Sequence, residues 1–340
     1  MQKAKRQELL IFLIIVGIAS FFRLYQLDVS KIFPAILDIF TVVGLYLLTK
    51  ELFEWRLAAI ASYLMAISFW HVSFSRMEST AIIIPFALVY AFYFLWKGLK
   101  HNHLPDFIMA GIFGGLGFYS HIPYYCMAPL IAIVLFLNYW WYLKKDFDHV
   151  KYEYAKTKLL QGFVLLALTA FVIALPVMIS FWQNTNELLS PAPMSSVGGN
   201  ISATSIVKIL GMFNFSSNPV LPWPIGVFFV VGFINELIHW LKRKHGHFST
   251  VHTFMFTWFF VMLLPGFLST NASDALLTIG VLPVVMIFTA RGIWWFFEKL
   301  SVWYKLNDAH SRHEAHAITA LVMIIFLFSI GLMEYWRYFK

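Results

Sequence analysis

The stretch LLQGFVLLALTAFVIALPVMISFW, residues 159–182, contains no charged side chain and follows the charged segment 144–158. At about 1.5 Å per residue, a helical run of this length crosses the apolar core of a bilayer. The sequence therefore predicts an all-α fold, a polytopic membrane helix bundle with 1–340 as a single membrane domain. Together with comparable runs, this stretch predicts about eleven transmembrane helices, at approximately 8–27, 32–50, 57–75, 80–99, 104–121, 124–143, 159–182, 222–241, 250–268, 275–298 and 316–336.

The composition excludes a soluble globular protein. Hydrophobic residues make up 60% of the chain and charged residues 12%, whereas a soluble domain carries about 25% charged residues. The mean hydropathy is +0.73. The formal net charge of +8 does not indicate nucleic-acid binding, because the excess basic residues lie between the apolar runs, where they meet anionic lipid. The lipid bilayer is the expected partner.

Basic residues fix the predicted orientation, because they are concentrated in alternate gaps between the apolar runs. Of the 25 lysines and arginines, 18 fall in one set of gaps and five in the other, while Arg23 and Arg291 lie inside runs. The positive-inside rule places the charge-rich gaps in the cytoplasm. It therefore predicts a cytoplasmic N-terminus, an outer C-terminus and a long outer loop at 183–221.

Arg76 and Glu78 are candidate site residues at the outer end of the third predicted span. Arg76 closes the string FWHVSFSR, residues 69–76. Its guanidinium group could hold a lipid phosphate by bidentate hydrogen bonds, or it could anchor the span at the membrane interface. Glu78 could be the salt-bridge partner of Arg76 or a catalytic base.

Arg23, Asp38 and His121 are further candidates, because charged and polar groups in or beside membrane spans are costly. Arg23 and Asp38 lie near the outer ends of the first two spans, so the two side chains can pair and relieve both desolvation costs. The alternatives are a phosphate-binding role for Arg23 and a catalytic role for Asp38. His121 ends the fifth span, either as an interface residue or as part of a lipid-phosphate site.

No metal or cofactor is required by the sequence, which has no zinc-ligand spacing and no glycine-rich phosphate loop. His310, His313 and His316 recur every three residues in a cytoplasmic gap. On a helix they would share one face and could bind a metal ion, or they could belong to a solvated linker.

Short strings along nearly the whole chain resemble successive stretches of one family of membrane enzymes. The strings, in order, are FRLYQLD at 22–28, TVVGLYLL at 41–48, AISFWH at 66–71, AGIFGGLG at 110–117, LGMFN at 210–214 and IGVLP at 279–283. The family that they resemble is the GT-C class of glycosyltransferases, in its bacterial branch similar to dolichyl-phosphate-mannose protein mannosyltransferases and lipid A aminoarabinose transferases.

The resemblance implies a GT-C-like fold in a bacterial inner membrane and inverting sugar transfer on the outer face. The donor would be a sugar on a polyprenyl-phosphate lipid carrier. A carboxylate would take the proton of the acceptor hydroxyl, and basic groups would stabilise the leaving lipid phosphate. Arg76 matches the arginine that closes the third helix in this family, as a phosphate or structural contact.

The chain departs from the family in its first outer loop, which in relatives is long and carries an acidic motif, usually Asp-Glu. Here the loop consists of residues 28–31, which span about 13 Å when fully extended. A glycosyltransferase would then need Asp38, Glu78 or a partner subunit as the source of its base. Two alternatives stay open: a non-catalytic protein or partner subunit that binds the lipid carrier, and a membrane transporter.

The predicted orientation can be tested by cysteine labelling, because Cys126 is the only cysteine of the chain. In a Cys126→Ala background, a membrane-impermeant thiol reagent should label Ser196→Cys in intact cells and should not label Lys151→Cys. Labelling at 151 without labelling at 196 would reverse the orientation and put the candidate site on the cytoplasmic side.

Overall fold

A computed structural model describes residues 2–76, 80–120, 128–146, 149–183, 211, 213, 220–242, 247–267, 278–307 and 312–339. These residues contain no strand, and short 3-10 turns at Val29–Lys31, Thr80–Ile82, Gly117–Tyr119 and Ile279–Val281 precede or follow the α-helices. The helices of the described ranges are α1 (Gln2–Leu24), α2 (Ile32–Leu52), α3 (Trp55–Ile67), α4 (Phe69–Arg76), α5 (Ile83–His101), α6 (Leu104–Leu116), α7 (Ala128–Asp146), α8 (His149–Gln183), α9 (Trp223–Lys242), α10 (His247–Phe267), α11 (Leu282–Asn307) and α12 (Arg312–Phe339).

The helices confirm the predicted all-α polytopic membrane bundle, since each predicted apolar run coincides with helix in its described part. Among the described residues, eight helices are long and apolar enough to cross a membrane, or nine if the bent pair α3–α4 forms one span. The predicted run 104–121 falls on α6, which is shorter than the helices counted as spans. The predicted run 124–143 falls on α7. The count of eleven spans and the orientation remain predictions.

The span predicted at 57–75 is divided into α3 and α4, because the chain breaks at Ser68. Ser68 has an extended ψ of 117°, and the axes of α3 and α4 differ by 51°. The carboxylate of Glu334 in α12 accepts a hydrogen bond of 2.9 Å from the backbone N–H of Phe69, the first residue of α4. A carboxylate is favourable at this position because the first amides of a helix lack intrahelical partners and carry a positive dipole end.

Helix α11 lies at the centre of the bundle. From Ile279 to Ala290, through the 3-10 turn and into α11, every residue is buried. This segment packs against α3, α9 and α12, and α2 and α5 complete the interior. Aromatic side chains fill much of the space, with ring centroids about 5–6.4 Å apart in the cluster of Phe229, Phe233, Phe256, Phe259 and Phe288.

Glycines allow the closest approach between helices. A Cβ atom added to Gly232 of α9 would lie 1.8 Å from the carbonyl oxygen of Phe288, and one added to Gly292 of α11 would lie 2.0 Å from that of Phe228. The two backbones therefore touch where the helices cross, as small residues permit in membrane bundles. Gly111 and Gly115 also bring α6 close to α8, where an added Cβ atom would lie 2.6 and 2.8 Å from backbone carbonyl oxygens.

The outer loop predicted at 183–221 lies mostly outside the described residues. Its described part includes Phe213, whose carbonyl oxygen accepts a hydrogen bond of 3.1 Å from the N–H of Leu221. The Phe213 ring packs against Trp70 and Phe229 at 6.0 and 5.7 Å. These contacts attach the end of the loop to α4 and to the aromatic interior.

Gly232→Ala should lower the free energy of unfolding by about 1–3 kcal/mol, because its methyl group overlaps the α11 backbone. The matched control is Gly114→Ala in α6, where an added Cβ meets nothing within 4 Å. Alanine favours a helix over glycine by about 1 kcal/mol, so the control should be neutral or stabilising. Thermal unfolding in detergent measures both, and equal melting temperatures would contradict the close crossing.

Candidate functional site

The candidate site lies where the C-terminal ends of α1, α4 and α12 meet the N-terminal end of α2. The Phe22 ring of α1 lies 6.3 Å from the Tyr335 ring of α12, and the Tyr25 ring lies 5.6 Å from that of Phe339. The predicted topology places all four helix ends at the outer surface. This common end contains both a buried charge cluster and the partly exposed Arg76.

Arg23 and Asp38 form the buried ion pair that the sequence predicts. The Nε atom of Arg23 lies 2.8 Å from Oδ2 of Asp38, and Nη2 donates to Oδ1 at 3.2 Å. Both side chains are fully buried. The pair joins α1 to α2, and because each charge neutralises the other, neither is left alone in the apolar interior.

Arg23 also binds the end of α3. Its Nη1 atom donates to the carbonyl oxygen of Ala66 at 2.7 Å, and Nη2 donates to that of Met65 at 3.3 Å. The break at Ser68 leaves these carbonyl groups without the amide partners of a continuous helix. All three guanidinium nitrogens of Arg23 therefore contact protein groups, inside the bundle and away from the surface.

His71 completes the buried cluster through a contact with Asp38 that the sequence does not predict. Its Nδ1 atom contacts Oδ1 of Asp38 and lies 3.0 Å from Nη2 of Arg23. The carboxylate of Asp38 is fully buried and occupied by Arg23 and His71, so it faces no acceptor-binding surface. The remaining carboxylate candidate, Glu78, and the histidine candidate, His121, lie outside the described residues and stay predictions.

Arg76 lies at the edge of the site and is held by two other helices. Its Nη2 atom donates to the backbone carbonyl of Tyr25 at the end of α1. The guanidinium carbon lies 5.0 Å from the ring centre of Tyr338 and 5.6 Å from that of Phe339, both in the last turn of α12. Its Nε atom is buried and has no hydrogen-bond partner within the described part of the chain. Arg76 is thus held in place with part of its hydrogen-bonding capacity unused.

Glu334 and Arg337 are further charged residues of the site that the sequence reasoning missed. Besides its bond to Phe69, the buried carboxylate of Glu334 lies 3.8 Å from Nη1 of Arg337. The Arg337 guanidinium lies 4.5 Å from the centre of the Phe69 ring. The sequence signal for this pair is an acidic residue inside an apolar run, followed three positions later by a basic residue.

A second buried charge cluster lies at the opposite end of the bundle. Glu236 of α9 is fully buried, with Oε1 2.5 Å from Nε of Arg291 and Oε2 2.8 Å from Nε2 of His252. These contacts join α9, α10 and α11. The guanidinium of Arg291 also lies 5.1 Å from the ring centre of Phe53, which connects the cluster to the end of α2.

The described residues hold no group of three or more histidine, cysteine, aspartate or glutamate side chains that could bind a metal ion. His310 and the side chains of His313 and His316 lie outside the described part, so the alternatives at that run stay open.

The helical fold and the family match define a multi-pass membrane protein of the GT-C glycosyltransferase class. The chain belongs to the dolichyl-phosphate-mannose-protein mannosyltransferase family, whose model matches residues 9–179. The match includes the buried Arg23 cluster and Arg76. No curated protein matches the chain.

Solved structures of the Archaeoglobus fulgidus oligosaccharyltransferase share the fold. The apo form matches with a TM-score of 0.53 at 15% identity, over 89% of this chain and 44% of that chain. The complex with zinc and sulfate gives 0.54 at 17% identity, over 89% and 40%. That enzyme, AglB, in complex with an inhibitory peptide and a dolichol-phosphate gives 0.53 at 17% identity, over 88% and 44%. The chain therefore spans less than half the length of the structures it matches.

Removal of one partner from the buried Arg23–Asp38 pair should destabilise the protein strongly. Asp38→Leu leaves the Arg23 charge buried without its carboxylate, which typically costs about 3–5 kcal/mol. The double variant Arg23→Met with Asp38→Leu should recover part of this loss, because no buried charge remains uncompensated. Unfolding in detergent measures the free energies.

The matched control is the surface pair of Asp28 and Lys31, whose charged atoms lie 3.4 Å apart with side chains 78% and 32% exposed. Asp28→Leu should cost at most about 1 kcal/mol, as for other exposed pairs. Equal losses from Asp28→Leu and Asp38→Leu would show that the buried cluster contributes no more than a surface contact.

Proposed function

We propose that the chain binds a polyprenyl-phosphate-linked sugar at the outer ends of α1, α4 and α12, for sugar transfer to an acceptor on that face. Membership of the mannosyltransferase family supports this class of donor. The structural relative AglB has been solved with a dolichol-phosphate, which is a lipid carrier of the same chemical type. We expect the chain to lie in the bacterial inner membrane, as the sequence resemblance implies.

The position of Arg76 is the observation that carries this proposal. Aromatic rings of α12 lie against its guanidinium group, and the Tyr25 carbonyl accepts from one of its nitrogens. A guanidinium group that lies against aromatic rings still presents its N–H donors in the plane of the group. A phosphate group accepts bidentate hydrogen bonds from donors arranged in this way. Arg76 is therefore the proposed ligand of the carrier phosphate.

Arg76→Ala should weaken the binding of polyprenyl phosphate by about 1.5–3 kcal/mol, as for a hydrogen bond to a charged group. The matched control is Arg56→Ala, because Arg56 also lies over an aromatic ring, Trp55 at 5.6 Å, but at the opposite end of the bundle. Native mass spectrometry with titrated carrier gives both affinities. Unchanged binding by Arg76→Ala, with intact binding by the control, would leave Arg76 as an interfacial anchor.

A second candidate function is binding of the lipid carrier by a chain that does not catalyse transfer on its own. The positions of the candidate carboxylates support it. Between α1 and α2 the backbone makes only a turn and the 3-10 helix Val29–Lys31, which leaves no room for a loop that carries a base and positions an acceptor. Asp38 is held by Arg23 and His71. A base would then have to come from Glu78 or from a partner subunit.

The isolated chain should accordingly transfer little or no sugar while it still binds the carrier. General-base catalysis contributes about 10²–10⁴-fold, and loss of acceptor positioning adds to the deficit. A radiolabelled-donor assay of the purified chain, with and without host membrane extract, measures the transfer. Robust turnover by the isolated chain, abolished by Glu78→Gln in a variant that still folds, would overturn this expectation and identify the base.

A further inference from the structure

An open cleft of about 350 Å³ lies between α1 and α2, at the end of the bundle opposite Arg76. Its polar rim consists of Lys5, Glu8, Tyr46 and Lys50. The Glu8 carboxylate accepts a hydrogen bond of 3.1 Å from the Tyr46 hydroxyl and contacts the ammonium group of Lys50. Lys5 is exposed and forms no ion pair with any other described residue. Two lysines therefore face one carboxylate, which leaves the cleft with a net positive charge.

The deeper part of the cleft is apolar. Leu9 and Phe12 of α1 and Leu47 of α2 line it, and the Phe12 ring lies 4.9 Å from the ring of Tyr46. Along α1, Phe12 is seven residues beyond Lys5, or about 10 Å farther into the membrane. The lining thus changes from cationic to apolar over a distance that matches the passage from a lipid headgroup to its acyl chains.

We propose that this cleft is a binding site for an anionic glycerophospholipid. The lipid phosphate lies against Lys5 and Lys50, and one acyl chain follows Leu9 and Phe12. The net positive charge favours an anionic headgroup over a zwitterionic one, whose ammonium group would meet two lysines. The apolar wall favours a lipid over free phosphate, and the leaflet is the one that the charge pattern predicts to be cytoplasmic.

The test uses the purified full chain in a neutral detergent, with native mass spectrometry of bound phosphatidylglycerol and of phosphatidylcholine with the same acyl chains. Phosphatidylglycerol should bind more tightly. Lys5→Ala and Lys50→Ala should each weaken its binding about fivefold, which corresponds to about 1 kcal/mol per lysine near a membrane surface. Glu8→Gln should strengthen it, because the variant removes the carboxylate that competes for Lys50.

The matched control is Lys100→Ala. Lys100 is also paired with a glutamate, Glu51 at 3.0 Å, and lies at the same end of the bundle but outside the cleft. This variant should bind phosphatidylglycerol like the unmodified chain.

The proposal is overturned by equal binding of the two lipids, by an equal loss in Lys100→Ala, by weaker binding in Glu8→Gln, or by displacement of the lipid with millimolar inorganic phosphate. Melting temperatures verify folding, and Lys5→Ala, which breaks no ion pair, remains informative if other variants unfold. Because the cleft and Arg76 lie at opposite ends, failure here leaves the proposed carrier site untouched.

Discussion

The end of the bundle that contains Arg76 depends on a single exchange of hydrogen-bond partners at the break between α3 and α4. A continuous α-helix would pair the N–H of Phe69 with the carbonyl oxygen of Met65. Instead, Phe69 donates to Glu334 of α12, and Met65 accepts from Arg23 of α1. Because unpaired backbone groups are costly in a membrane, the bend is stable only while both side chains are in place. The break therefore ties α1 to the end of α3 and α12 to the start of α4, the helix that ends at Arg76.

Two buried clusters of the same composition stabilise the two ends of the bundle. Each combines an arginine, a carboxylate and a histidine, and each carboxylate contacts both of the other side chains. At the end near Arg76 the members come from α1, α2 and α4, and at the other end from α9, α10 and α11. These contacts thus hold α1, α2 and α4 together at one end, and α9, α10 and α11 together at the other.

The helices could be predicted from the sequence because a membrane span needs only length and hydropathy, which are local properties. The pairing of Arg23 with Asp38 could be predicted as well, since both residues occur at similar depths in adjacent runs. The break at Ser68 could not, because the run 57–75 contains no proline and no charged interruption. Its cause is tertiary: the partner that stabilises it, Glu334, lies 265 positions from Phe69 along the chain. Glu236 was missed for the same reason, since its partners lie on other helices.

The contact between the backbones of α9 and α11 has a mechanical consequence. Side chains at a helix crossing can change rotamer and let two helices slide, but Gly232 and Gly292 leave no side chain between the main-chain atoms. The two helices consequently behave as one rigid unit, fixed at the crossing of Gly232 and Gly292. Any opening wide enough for the proposed lipid carrier must then come from movement of other helices around this pair.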